Sequence, residues 1–481
     1  MNSKQPKKKF VLTSKISVQK SKELNQFVYD FTDYFKVYNF QHTNTALKYI
    51  QGLMVSEKGH GNMERMEEYI PDSEYRLYQN FISNSNWDAD NVLKKVAIDT
   101  STIMQDIKTQ RGNPVMYIID ESAHLKKGKY SVGVAKQYAG VAGKVDNAQV
   151  GVYSCLCCEN RTTLINERLF LPQSWIDDKQ RCDKAGVPYD KRVFKTKPQL
   201  ALEMIDQDVN RDIRFDCIAG DGLYGHSFEL TDGLDERELF YVLDVHKDEK
   251  VFLEEPQLII PERKGKKGPY PKLPKPDKDS VRLDQYVCSL KTDVWEKVKV
   301  RKTAKGWKKV LIHTRTIWVY DPNSQKIKKR LLIITRETGK KPRTKYSFSN
   351  GDIDQYCLKE YAYFQGQRYW VERCFDDAKN ELCMSDYQIR KWLGWHHHHA
   401  LVFMASLYLM KQKINAEPEY PLMSVRDARI LIITMLFGTN HQVEIAFMHM
   451  QERHRKRQAD IDRYYLEHPE EFDCEIKNNT D

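Results

Sequence analysis

The sequence predicts an α/β protein: a mixed-sheet core preceded by a helical region and interrupted by a basic, β-rich insertion. Three observations carry this expectation. Residues 23–110 repeat apolar side chains at helical spacing. From Val115 onward, short apolar runs alternate with helical stretches, the pattern of strands and helices packed around one sheet. Residues 263–345 then hold 26 Lys+Arg against 7 Asp+Glu, while the whole chain is only +10. A chain of 481 residues suggests about two to four domains. With 41% hydrophobic residues it is not disordered throughout. The longest apolar run, 400–410, is about half the ~20 residues a membrane span needs. No signal peptide follows the Lys-rich start, and ten cysteines in so long a chain do not form a disulfide scaffold. The expectation is a soluble intracellular protein without a membrane partner.

Element by element, residues 1–20 read as a flexible basic arm. In 21–110, Phe27, Val28, Phe31, Tyr34, Phe35 and Tyr38 recur at three- and four-residue steps, and Asp72-Ser73 and Asp88 are helix-start signals. Val115-Met-Tyr-Ile-Ile119 is a buried strand ending at Asp120-Glu121, and the loop Lys126-Lys-Gly-Lys129 follows. Strands are expected at 148–156 and 162–171, then a helix at 198–209 with Pro near its first turn. A strand at 215–219 ends in Gly220-Asp221-Gly222, and a helix and a fifth strand at 239–245 complete the run. The basic segment opens with a Pro/Lys/Gly arm containing Lys264, Lys266 and Lys267, and continues through strand-like pieces at 310–320 and 330–335. Helical periodicity returns at 358 and runs on to about 410, and a helix at 427–437 and a charged tail close the chain.

Asp120 and Asp221 each stand where an apolar strand meets a polar turn. An Asp in that place is by itself most often a turn residue or helix cap. Two of them on neighbouring central strands can converge on divalent cations, since strand ends are rigid and the loops leave room for substrate. Two such cations can activate an attacking oxygen and stabilise a leaving one in phosphodiester cleavage. A third carboxylate from a helix completes the cage, and Glu372 is the candidate. Lys/Arg interleaved with Trp295, Trp307 and Trp318 in the insertion suits phosphates and unstacked bases, although core tryptophans under a solvated basic face give the same pattern.

The stretches Ile118-Ile-Asp120-Glu, Lys126-Lys-Gly-Lys-Tyr-Ser-Val-Gly-Val134 and Gly143-Lys-Val-Asp-Asn-Ala-Gln-Val150 resemble bacterial insertion-sequence DDE transposases. So do the Trp175…Arg181…Ala185-Gly-Val-Pro188 region and Ala219-Gly-Asp221-Gly-Leu-Tyr-Gly225, and the likeness spans roughly 88–410. That family has an RNase H-like core with a β-rich insertion between its second Asp and its Glu. Its last helix carries Tyr, two residues, Arg, three residues, Glu, six residues, Lys. Arg368, Glu372 and Lys379 fit this spacing, and Gln365 stands in the Tyr place.

The resemblance implies Mg²⁺, with Mn²⁺ able to substitute, held by Asp120, Asp221 and Glu372, with Asp120 touching both ions. It implies that Arg368 and Lys379 hold phosphates. It further implies double-stranded DNA partners (element ends and target), a homodimer pairing two ends, and excision through hairpins with a flipped base stacked on Trp295, Trp307 or Trp318. Lys126, Lys127, Lys129, Lys264, Lys266 and Lys267 are the expected basic-loop DNA contacts. The cell compartment it implies is the bacterial cytoplasm, at the nucleoid.

Other signals carry less. Asp120-Glu-Ser-Ala-His124 looks like a helicase box but lacks an upstream phosphate loop. Glu121 is expected on the opposite strand face from Asp120. Cys155, Cys157 and Cys158 have no second pair at zinc spacing and read as buried thiols. His396 to His399 read as a native helix start. The domain reading is an arm at 1–20, a helical DNA-binding domain at 21–110 and RNase H-like core at 111–246 and 350–412. The insertion is 247–349 and a helical C-terminal region 413–481. The rival functions are a non-catalytic DNA-binding regulator derived from a transposase, and an RNase H-like nuclease that cuts without joining.

Overall fold

The computed structural model describes residues 14–261, 272–303, 306–339 and 342–469. The Lys-rich start, Lys264, Lys266, Lys267 and the acidic end of the tail lie outside the described residues. Five helices come first: α1 (Ser14–Tyr29), α2 (Thr43–Val55), α3 (Met63–Tyr69), α4 (Tyr75–Ser83) and α5 (Ala89–Arg111). Asp88 caps α5, its carboxylate accepting from the Asn91 N–H at 3.0 Å, and Gly112 ends that helix in the left-handed region at φ 73°. Asp72-Ser73 does not start α4; Asp72 sits at φ 54° in the preceding turn and the helix begins at Tyr75.

The centre of the molecule is one ten-stranded sheet. Its strands are β1 (Met116–Leu125), β2 (Ala135–Ala139), β3 (Lys144–Cys158), β4 (Arg161–Leu169), β5 (Cys217–Gly220) and β6 (Tyr241–Asp244). They continue as β7 (Glu296–Thr303), β8 (Gly306–Asp321), β9 (Lys326–Glu337) and β10 (Thr344–Ser349). Strands β4, β3 and β1 are antiparallel neighbours, and β1, β5 and β6 run parallel, giving the order β4-β3-β1-β5-β6. That is the RNase H-like arrangement. The parallel strands are connected by α6 (Lys197–Asn210) and α7 (Phe228–Glu236), as crossover connections require. Thr196 and Gln199 form a capping box on α6, with Pro198 in its first turn.

The insertion is β-rich, and its four long strands extend the core sheet: β10 pairs antiparallel with β6, Ser347 opposite Asp244. A second apolar cluster, with Leu283, Tyr286, Ile317, Leu332 and Phe348, backs this wing. The helical periodicity after 358 is not one helix. It divides into α8 (Leu358–Gln367), α9 (Tyr369–Glu381) and α10 (Trp392–Ala416), broken at Arg368 and again across residues 382–391. Helices α11 (Val425–Phe437) and α12 (Asn440–Glu467) follow.

The main core is continuous from Leu24 to Met450. The four histidines of α10 help to join its parts. His397 stacks on Trp87 with centroids 3.7 Å apart, His398 bonds the Tyr49 hydroxyl at 2.9 Å, and His399 bonds the Tyr153 hydroxyl at 3.0 Å. His396 pairs with the buried Glu167 at 2.6 Å. Cys155, Cys157 and Cys158 are free, buried thiols. Among the described residues, no helix is long and apolar enough to cross a membrane.

Candidate active site

Strand β5 is short, and this creates the site. Its pairing with β1 ends at Ile118 opposite Ala219, so beyond residue 118 one edge of β1 is open while β3 still holds the other. Asp120 stands on that open stretch. Asp221 follows β5 directly and caps the turn Gly222–Gly225, accepting from the Leu223 N–H at 2.9 Å. β1 does not end at Asp120-Glu121, as the apolar run alone predicts, but runs on to Leu125 along its partner β3. Asp120 is mid-strand, just past the end of the β1·β5 pairing, and Asp221 is just past the end of β5.

Oxygen atoms of Asp120, Glu121 and Asp221 lie within 4.8 Å of one another. Glu121 thus belongs to the cluster, against the expectation from strand alternation. With no β5 neighbour beside it, its longer side chain reaches round the open edge, and the Lys197 ammonium (2.9 Å) and Tyr224 hydroxyl (3.1 Å) hold it there. Burial, with Asp221 and Glu121 nearby, pushes the Asp120 carboxyl up to about 7, although Arg368 opposes the rise.

Glu372, the expected third carboxylate, is not part of this cluster: it is exposed and is linked to Asp120 only through the Arg368 guanidinium. Arg368 lies 2.5 Å from Glu372, 3.2 Å from Asp120 and 3.2 Å from Asp244. Asp244 ends β6 as Asp221 follows β5, and it was not singled out from the sequence. The signal was there, an apolar strand closing on Asp, but no glycine turn follows to mark it. Burial raises the Asp244 carboxyl above its ordinary value. These oxygen donors suit a hard divalent cation such as Mg²⁺ or Mn²⁺. The half-buried Asp120, crowded by the Asp221 and Glu121 carboxylates with Arg368 beside it, is the observation that fits such an ion.

Lys379 is two turns along α9 from Glu372. Desolvation lowers its pKa, while Asp376 and Asp120 lie close enough to oppose this. Lys126 turns inward, donating to the Tyr387 carbonyl at 2.9 Å with its ammonium 3.5 Å from the Tyr387 ring centre. Burial lowers its pKa to about 7. Lys127 and Lys129 remain exposed.

The three insertion tryptophans are half-buried. The Arg336 guanidinium covers Trp295 at 4.8 Å, Lys299 lies 5.7 Å from Trp307, and Trp318 exchanges backbone hydrogen bonds with Phe252. Between the insertion and α8–α9 lies a cavity of about 360 Å³ whose walls include Arg301, Arg343, Lys345, Arg368 and Glu372. Its aromatic wall is Tyr369, 38% exposed, with the Arg301 guanidinium 5.0 Å from the ring centre.

Comparison with known proteins places this geometry in context. The family description "DDE superfamily endonuclease" matches residues 31–306, a span that holds Asp120 and Asp221 and stops before Glu372. A probable transposase for insertion sequence element IS701 from Microchaete diplosiphon is 23% identical over 347 residues, 72% of this chain and 76% of the relative. Among solved structures, the piggyBac transposase synaptic complex with hairpin DNA aligns with 92% of this chain and 76% of that one. That alignment has 10% identity and a TM-score of 0.38.

Proposed function

The chain belongs to the DDE superfamily endonucleases, and from that premise we propose that it is an insertion-sequence transposase, cutting DNA at the ends of its element and joining them to a new site. The observation that carries the reading is the convergence of Asp120 and Asp221 where the pairing of two adjacent parallel strands ends. The likeness to the IS701 protein, itself named a probable transposase, supports strand transfer over simple nicking.

Asp120, Asp221 and Glu372 are the residues we assign to hold Mg²⁺, for which Mn²⁺ substitutes. When bound, the ions supply activation of the attacking oxygen and stabilisation of the leaving one. The chain's own groups do the rest. Arg368 and Lys379 bind phosphates beside the cut, along one side of α9. Lys127 and Lys129, with Lys264, Lys266 and Lys267, neutralise the duplex backbone further out. Lys126 serves that surface from inside, by fixing the loop that carries Lys127 and Lys129. The helical region at 21–110 reads the terminal repeat, the insertion at 247–349 lies against DNA near the cut, and two copies pair two ends. Excision runs through hairpins, with a flipped base stacked on Trp295, Trp307 or Trp318. The cost of unstacking is a few kcal/mol, and an aromatic partner offsets it.

A plasmid carrying a resistance marker between the two element ends tests this in cells. Supplying the protein in trans should release the marker and insert it elsewhere, and Asp120→Ala or Asp221→Ala should abolish both events. Binding to the ends without excision would identify the DNA-binding regulator instead, and excision without reinsertion the simple nuclease.

A further inference from the structure

Arg368 touches three carboxylates and sits, with helical backbone dihedrals, at the one-residue break between α8 and α9. A chain of hydrogen bonds closed by an ion pair leads to it from the insertion wing. The Thr335 hydroxyl on β9 donates to the Gln365 carbonyl oxygen, which sets the direction of that amide. Gln365 Nε2 then donates to the Ser347 hydroxyl on β10 at 2.8 Å. Ser347 in turn donates to Asp244 Oδ1 at 2.6 Å, and Asp244 Oδ2 lies 3.2 Å from Arg368 Nε. Gln365 and Ser347 are fully buried, 2% and 0% exposed. The Gln365 amide and the Thr335 and Ser347 hydroxyls are all hydrogen-bonded along this chain, while Arg368 Nε meets Asp244 as an ion pair without hydrogen-bond geometry.

We infer that Asp244, oriented by Ser347 and Gln365, is a positioning residue that acts through Arg368. Anchoring the Nε side of the guanidinium turns its two terminal nitrogens toward Asp120 and Glu372. It also gives Gln365 a role. At this position the side chain points into the sheet and couples the insertion to the catalytic face, three residues ahead of the arginine it orients. The coupling is direct because Ser347 and Asp244 are paired residues in the β10·β6 ladder. The inference rests on the transposase reading, since Arg368 matters only if DNA is cut there.

The test is a double-mutant cycle on cleavage of labelled element-end duplex by the full chain, with Asp244→Asn, Arg368→Gln and the double variant. Asp244→Asn should lower kcat roughly 10- to 100-fold, with KM for DNA unchanged. The double variant should be no worse than Arg368→Gln alone, because Asp244 has no other route to the reaction. Ser347→Ala, which keeps both charges, should lower the melting temperature through the two lost buried hydrogen bonds, and should lower kcat several-fold at temperatures where it is fully folded. It decides the matter if Asp244→Asn fails to fold. Losses that multiply in the double variant, or a Ser347→Ala protein with wild-type kcat, would overturn the inference. If wild type itself cuts no duplex while folded, the transposase reading fails, which is a separate result.

Discussion

Gly225 offers a prediction whose size follows from one distance. A Cβ built on Gly225 would stand 2.0 Å from the carbonyl oxygen of Asp244 and 3.0 Å from its carbonyl carbon. No rotamer relieves this, because the obstacle is backbone at the end of β6. The strand end must retreat by about 1 Å, and overpacking of this kind costs about 1–3 kcal/mol. Entropy alone would give the opposite sign, since Gly→Ala at a compatible site stabilises by about 0.4–1 kcal/mol. The displaced residue is Asp244, so function should suffer beyond stability: a 1 Å error in a supporting group costs roughly 100-fold in rate. Gly222, three residues earlier, is the control. Its Cβ would meet the His246 ring at 2.9 Å, and that exposed ring can swing away. Thermal melts and Mg²⁺-dependent cleavage should therefore separate the two: Gly225→Ala melts lower and loses activity, and Gly222→Ala does neither. A Gly225→Ala protein with wild-type stability and rate would refute the packing argument.

Three further predictions concern charge. His398 is buried and its pKa is lowered to about 3 by desolvation, with Nδ1 facing the Tyr49 hydroxyl and Nε2 the Met384 carbonyl. Its unfolded value is about 6.5, so its contribution is complete above that pH and is lost as pH falls toward 3. The stability gap between wild type and His398→Asn should narrow by up to about 1.4 kcal/mol per pH unit below 6.5 in urea titrations; a gap independent of pH would contradict this. Lys127→Ala/Lys129→Ala should flatten the slope of log affinity against log salt by about 1.8, about 0.9 for each lost phosphate contact, as read by fluorescence anisotropy. Lys126→Ala should instead lower the melting temperature, because it leaves the Ser385 and Tyr387 carbonyls without their ammonium, and it should change the salt slope far less.

Much of this architecture is legible in the residues because strand and helix signals are local. The apolar runs at 115–119 and 215–219 mark β1 and β5, and the Asp that follows each run marks a carboxylate of the site, although β1 itself continues past Asp120 to Leu125. What stays hidden is tertiary. Glu121 joins the cluster because β5 stops early and leaves an edge open, and nothing near residue 121 encodes the length of β5. The fusion of insertion and core depends on Ser347 meeting Asp244, 103 residues apart. The break at Arg368 carries no proline, and the periodicity on either side is good enough to read through it. The four consecutive histidines each find a different partner, Glu167, Trp87, Tyr49 and Tyr153, a division that only the packed core defines.

The central claim is that Asp120, Asp221 and Glu372 together cut DNA. The most direct measurement is strand cleavage of end-labelled duplex by purified protein, in Mg²⁺ and in EDTA, with Asp120→Asn, Asp221→Asn and Glu372→Gln run beside wild type. The account predicts a metal-dependent break at the element end that all three variants lose while still binding the duplex. Cleavage that survives Glu372→Gln but not Glu121→Gln would show that the acidic cluster around β1 uses a different third carboxylate, and would contradict the assignment.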